Sequence, residues 1–338
     1  MRKILALFLA TMLILTIGAA FAETKAGEGI YIGVVYKQSG NPYFRASFDG
    51  FNKAADELGF TFEYEGPDDS STDDGQIGII ETYIASDVDA IIVSANSPDG
   101  LVEILQEAMD KGIVVVSYDS PVAPEGRNVD VEATFFQDVG ETLVKSIAKS
   151  IDYEGQVAIL SASATMGNQQ HWCAAMEKAL AENEAYANME YVGTVFGNDL
   201  YDKSYTECQN LLNQYPHLKG IIVPTANGAP AVARCVQAQG GDIKVTGLAL
   251  ASDMKEYIEA GICDEIFLWN PIDLAYVASY LAVALVNGDI TGAVGDTITA
   301  GDKGEFTIAD GDDGGATLLL GELNTFNVDT VADWVDIL

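Results

Sequence analysis

Histidine is nearly missing from this chain: 338 residues hold only His171 and His217. Neither stands in a Ser/Asp arrangement of the kind that drives nucleophilic hydrolysis. No His-rich or Cys-x-x-Cys spacing suggests a metal. GxSxG and Walker-type loops are absent, and no GxGxxG follows the first strand. These gaps count against a triad hydrolase, a nucleotide-dependent transferase and a dinucleotide enzyme, and no cofactor is expected. Basic residues are scarce too, 17 Lys and Arg against 51 Asp and Glu, for a net charge of −34. Binding through counterion release needs clusters of Lys and Arg, and none are visible. Nucleic acid, polyphosphate ligands and acidic membrane surfaces are therefore disfavoured. The plainest account of the acidity is a solvated surface that keeps the protein soluble. Low-complexity segments and short repeats are also absent. Beyond Met1–Ala22 no stretch reaches about 18 uninterrupted apolar residues, the length a membrane helix needs.

Met1–Ala22 reads as an export signal. Arg2 and Lys3 precede the apolar run Ile4–Ile17, and Ala20-Phe21-Ala22 forms a small-residue cleavage site. No cysteine lies nearby to carry a lipid anchor. The expected mature protein begins near Glu23 and is soluble, with enough residues for two lobes with separate cores. An exported chain loses access to ATP and NAD(P), which moves the expectation from cofactor chemistry towards solute binding. Cys173, Cys208, Cys235 and Cys263 all fall in one half of the chain. Outside the cytoplasm they can pair in three ways. Three of them sit in helical patterns, so buried free thiols are an equal alternative.

The rest alternates strand and helix. Ile30–Tyr36 is a short apolar run, a buried strand. Asn41-Pro42 then supplies an N-cap and a proline at the first helical position. Phe44, Phe48, Phe51, Ala55 and Leu58 recur on one helical face. The unit repeats with strands at 61–64, 90–94 and 113–117, and helices at 74–85 and 98–111, the second capped by Ser97. Residues 119–129 (DSPVAPEGRNV) break the rhythm and read as a crossing between lobes. Further strands are expected at 156–161, 191–196, 220–223, 244–248 and 265–268. Helices are expected near 135–150, 169–183, 202–214, 229–239, 252–260 and 272–287. Residues 288–315 read as loop and short strands, 317–320 as a last strand before a short tail. The fold class is α/β, with parallel sheets and right-handed crossovers.

Ligands of open parallel sheets bind beyond the carboxyl ends of the strands. Lys37 and the Tyr43-Phe44 pair follow the first strand, and Asp119 follows the fourth. Asn168, Gln169 and Trp172 follow 156–161; Pro224, Thr225, Ala226 and Asn227 follow 220–223; Trp269 and Asn270 follow 265–268. A carboxylate accepts from vicinal hydroxyls, an ammonium donates, amides do both, and aromatic faces cover the C–H face of a ring. The set suits a neutral polyol. Each member has a plainer reading: a solvated Lys37, a turn-capping Asp119, core tryptophans, Asn168 as a helix N-cap. Their coincidence at strand ends favours binding. Asp310, Asp312 and Asp313 hint at a calcium loop but lack the later bidentate Glu, so a turn is the better reading.

These residues make the chain resemble the type I periplasmic solute-binding proteins of ABC importers, within them the group of rhamnose-binding and autoinducer-2-binding proteins. The resemblance is carried by GVVYKQSGNPYF (33–44), the segment 63–101, VVVSYDSPVAPE (114–125), NQQHW (168–172), KGIIVPTANGAP (219–230) and LWNP (268–271). It implies two Rossmann-like lobes joined by a three-stranded hinge, 28–122 with 271–322 and 123–270 with 323–338. It also implies a periplasmic monomer without catalysis or metal, which hands a sugar to an inner-membrane permease. The implied ligand contacts are Lys37, Asp119, Asn168, Gln169, Pro224 and Ala226, with Phe44, Trp269 and Asn270 lining the cleft. Autoinducer-2 receptors of this group carry Asp where Asn168 stands, and rhamnose-type proteins carry Asn. Asn270 also fits the sugar side. Glu132-Ala133 stands where relatives show Asn-Gln, and a carboxylate there is expected near the cleft, reading an extra hydroxyl. The alternatives are autoinducer-2 uptake or sensing, a receptor that feeds a sensor kinase instead of a permease, and an exported sugar-modifying enzyme. The enzyme needs two carboxylates facing one bond, and only Asp119 is well placed.

Overall fold

A computed structural model describes residues 24–70 and 72–338. The expected export signal lies outside the described residues. Among them, no helix is long and apolar enough to cross a membrane.

Strand β1 (Tyr31–Val35) is buried along nearly its whole length, and its central side chains have no polar member to place in water. Such a strand needs cover on both faces, which a parallel sheet with flanking helices supplies. Helix α1 (Pro42–Leu58) follows. Its Asn41 cap accepts from Tyr43 N at 2.9 Å, and Gly59 closes it at φ 85. Then come β2 (Thr61–Glu65), α2 (Asp74–Ala85), β3 (Ala90–Val93), α3 (Val102–Asp110), β4 (Val114–Tyr118) and β5 (Val129–Glu132). Ser97 accepts from Gly100 N, but in a turn, so regular helix starts four residues later than the expected Pro98.

The second run is α4 (Phe136–Ser150), β6 (Gly155–Ser161), α5 (Gly167–Glu182), β7 (Met189–Phe196), α6 (Tyr201–Gln214), β8 (Leu218–Val223), α7 (Gly228–Gln239), β9 (Lys244–Gly247), α8 (Ala251–Glu259) and β10 (Glu265–Leu268). Helix α9 (Pro271–Asn287) returns to the first lobe and packs on α1. The approach is close: a Cβ on Gly50 would stand 2.0 Å from the Ile272 carbonyl oxygen. Short strands β11 (Thr297–Thr299), β12 (Glu305–Thr307) and β13 (Ala309–Asp310) precede β14 (Ala316–Leu319), β15 (Asn324–Asn327) and the short helix α10 (Val331–Trp334).

The first sheet runs β13-β14-β5-β4-β3-β1-β2, and the second runs β7-β6-β8-β9. The second extends through a parallel bridge from Leu248 to Phe267 on β10, which pairs antiparallel with β15. The chain therefore crosses between lobes three times. Two crossings run through 269–270 and 320–323. The first does not fall where the sequence suggested. Residues 129–132 pair with β4 on one side and β14 on the other, so the chain leaves the first lobe after Glu132, not within 119–129. The reason is β5 itself. Asp130 and Glu132 make it look polar, yet both are buried. The expected tail is likewise ordered, as β15 and α10.

Candidate functional site

The site forms where strand ends of the two sheets face each other. At the end of β4, Asp119 adopts φ 63, and Ser120 N donates to Tyr118 O at 2.6 Å across it. A three-residue turn with a left-handed non-glycine centre is strained, by roughly 1–3 kcal/mol. The turn holds the Asp119 carboxylate in the cleft. Lys37, at the end of β1, places Nζ 2.8 Å from Asp119 Oδ2, with both side chains buried. Ser94, after β3, donates to the same oxygen at 2.8 Å. Both bonds fall on Oδ2, and the Tyr43 phenol interacts with the same carboxylate.

A further amide braces this corner. Gln76 of α2 donates to Ser94 O (2.7 Å) and Tyr36 O (3.2 Å) and accepts from Asn96 N (2.8 Å). Asn96 in turn donates to Lys37 O at 3.2 Å. One buried side chain thus ties the ends of β1 and β3.

The second lobe contributes the start of α5. Gln169 accepts from Ser161 Oγ (2.7 Å) and Ala162 N (3.2 Å) and donates to Pro224 O (2.8 Å), tying β6 to β8. Its role here is to position both strand ends. Asn168 is not the N-cap; the helix begins at Gly167 behind Met166. Its Nδ2 instead donates across the cleft to Asp119 O at 3.0 Å, while Oδ1 accepts from Gln169 N.

The apolar wall is aromatic. Tyr43 meets Phe44 edge-on at 5.1 Å and Trp269 at 6.0 Å, and Trp269 Nε1 donates to Tyr43 OH at 2.7 Å. Trp172 lies 5.8 Å from Trp269, and its buried Nε1 has no partner among the described residues. Burial, and then the Asp119 charge, pushes the Tyr43 phenol well above its ordinary range, so it stays neutral and can both donate and accept.

Lys37, Phe44, Asp119, Asn168, Gln169, Pro224, Ala226 and Trp269 all line this cleft. It holds about 390 Å³ of non-atom space, part of it open to solvent. Asn270 does not line it: its Oδ1 accepts from Ile272 N as the N-cap of α9. Glu132 is also elsewhere. It faces a small hinge cavity shared with Asp130, Asp312 and Asp313. Burial, then the Asp130 charge, raises the Glu132 carboxyl well above the usual range. Asp312 and Asp313 stand in a turn, as the sequence favoured. Asp313 pairs with buried Arg127 at 2.7 Å, and Asp312 accepts from Phe136 N. Among the described residues no cluster of three or more His, Cys, Asp or Glu could hold a metal. The four cysteines are free thiols, three of them buried.

Sequence reasoning missed Asp199 and Asn41, which also line the cleft. Asp199 follows β7, a strand whose end the sequence inspection passed over.

Residues 32–290 match the model of the periplasmic binding protein domain. The chain belongs to that family. An ABC transporter solute-binding protein from Clostridium phytofermentas, solved with bound L-rhamnose, is 32% identical, with TM-score 0.89 over 92% of this chain and 100% of the other. LsrB from Clostridium saccharobutylicum in complex with AI-2 is 23% identical, with TM-score 0.84 over 90% of this chain and 99% of the other, a likeness of fold. The D-ribose/D-allose-binding protein of Pseudomonas aeruginosa is 28% identical over 73% of this chain and 78% of its own length. Like these relatives, this periplasmic binding protein is a solute receptor of the sugar-binding ABC transporter class and not an enzyme. Membership implies a membrane permease as partner.

Proposed function

We propose that this receptor binds a monosaccharide, a rhamnose-like 6-deoxyhexose foremost, and delivers it to the permease from outside the cytoplasm as a monomer. One observation carries the reading. The buried Lys37–Asp119 pair lies within a wall made of Phe44, Trp172, Trp269 and Ala226. The charged pair suits vicinal hydroxyls, whereas the wall suits a ring face and a methyl group. A buried methyl is worth about 0.8 kcal/mol, so the deoxy sugar should outbind its hydroxymethyl counterpart. The L-rhamnose bound to the Clostridium phytofermentas relative supports this choice.

Autoinducer-2 is the second reading, favoured by the same Lys37, Asp119, Gln169, Pro224 and Ala226. Asn168 weighs against it, because an amide there donates where the hydrated furanose rewards two acceptors. A thermal-shift panel of pyranoses, deoxyhexoses and autoinducer-2 decides. The largest rise is expected with a 6-deoxyhexose. A response to autoinducer-2 and to no monosaccharide would sink the sugar reading.

A further inference from the structure

We propose that Asn41 and Asp199 form a latch that holds the two lobes closed. The proposal rests on the reading that the cleft closes around a solute, but not on which solute. Asn41 belongs to the first lobe, at the start of α1. Asp199 belongs to the second, between β7 and α6. Asn41 Nδ2 donates to Asp199 Oδ2 at 2.5 Å, and both residues are buried, at 6% and 4% exposure.

Each partner is fixed before they meet. Asn41 Oδ1 accepts from Tyr43 N, which orients the amide so that its NH₂ faces across the cleft. Asp199 sits at φ 53, directly after Asn198 at φ 52, in a backbone state that few side chains adopt. Asn227 Nδ2 donates to Asp199 O at 2.8 Å, and Thr225 Oγ donates to Asp199 Oδ1. Oδ1 is thereby engaged within the second lobe, and Oδ2 is presented to the first.

A buried carboxylate left without this donor is costly, more than a neutral group would be. The bond exists only when the lobes are together, so it biases the closed state. A ligand that needs the closed state then binds more tightly in proportion to the closed population. The latch contributes to affinity for every ligand alike, without reading its hydroxyls. Asn41 and Asp199 are positioning residues in this scheme.

The test is a double-mutant cycle by calorimetry with at least two binding sugars. Asn41→Ser keeps an N-cap acceptor but removes the amide. Asp199→Gly removes the carboxylate at a φ that glycine tolerates. Each is expected to weaken every ligand by about tenfold, the worth of one charge-assisted bond. The double variant should be no weaker than the weaker single, because both remove the same bond. Asp199→Asn retains one acceptor and should fall between parent and Asp199→Gly. Fully additive losses would overturn the latch. So would losses that differ severalfold between sugars, since Asp199 would then be a ligand contact. If autoinducer-2 alone binds, the sugar reading fails while the same cycle, run with autoinducer-2, still tests the latch.

Discussion

Replacing Asp119 by Asn isolates the charge at the centre of the cleft. Asparagine tolerates the left-handed backbone at φ 63, so the turn after β4 is expected to survive. What goes is the anion 2.8 Å from Lys37 Nζ, in a place where the lysine is only 6% exposed. Two consequences follow, and they separate. Stability falls because a buried ammonium has lost its partner, a change worth about 3–5 kcal/mol before the lysine releases its proton. Affinity falls because hydroxyls that met a carboxylate now meet an amide. Bonds to charged groups contribute about 1.5–3 kcal/mol and neutral ones about 0.5–1.5 kcal/mol. With two hydroxyls, the loss is about 2 kcal/mol, or roughly thirtyfold in Kd. Asp119→Ala should lose more, about 2–4 kcal/mol, since both hydroxyls are left unpaired. The assay is calorimetry with the sugar that raises Tm most, alongside a circular-dichroism melt. Adding Lys37→Met to Asp119→Asn should recover part of the Tm and none of the affinity. An Asp119→Asn Kd within about threefold of the parent, under 1 kcal/mol, would refute the role of Asp119 as the polar anchor.

Two further outcomes are expected. Asn168→Asp removes the donor to Asp119 O and sets two acceptors against each other across the cleft. Sugar affinity should drop by about tenfold or more, measured by calorimetry, and an unchanged Kd would remove this bond from the account of closure. Glu132→Gln should flatten a pH slope. The carboxyls of Glu132 and Asp130 are raised by burial, Asp130 to about 6. A carboxyl raised on folding binds more protons folded than unfolded, so it lowers stability as pH climbs from its unfolded value through its folded one. Relative to the parent, Glu132→Gln should therefore gain Tm as pH climbs above the ordinary carboxyl value of about 4; melting temperatures that change in parallel with pH would contradict the assignment.

The parts of the fold that were legible in the sequence are those governed by hydrophobic period. β1, β3 and β8 are short apolar runs, and α1 shows its face through Phe44 and Phe51, both buried, whereas Phe48, expected on the same face, is exposed. β5 was missed although Val-Asp-Val-Glu alternates with the period of a strand, because the run is only four residues long and its carboxylates suggest a solvated face where the structure buries both. Its carboxylates are held by tertiary partners: the Ser117 hydroxyl donates to Asp130, and raised carboxyls let the strand stay inside. The cleft was mostly legible, since strand ends are found once strands are. Asp199 shows the limit of the method as applied: the same rule reaches it when used on β7. The bond of Asn168 was not legible, because whether an amide faces a ligand, a cap or the opposite lobe depends on coordinates that no spacing encodes; the cap of Asn270 was within reach, since Asn270-Pro271 repeats the Asn41-Pro42 signature.

The order of strands in the two sheets also sets the order of assembly. β14, more than 180 residues after β5, lies between β5 and β13. β15 completes the edge of β10, and Leu338 O accepts from Ser252 N at 2.8 Å. Neither lobe can finish its sheet until the last segments of the chain are available. Contacts this distant in sequence close slowly, because the loop entropy must be met before pairing stabilises anything. Until β14 is available, β5 remains an open edge with its carboxylates hydrated.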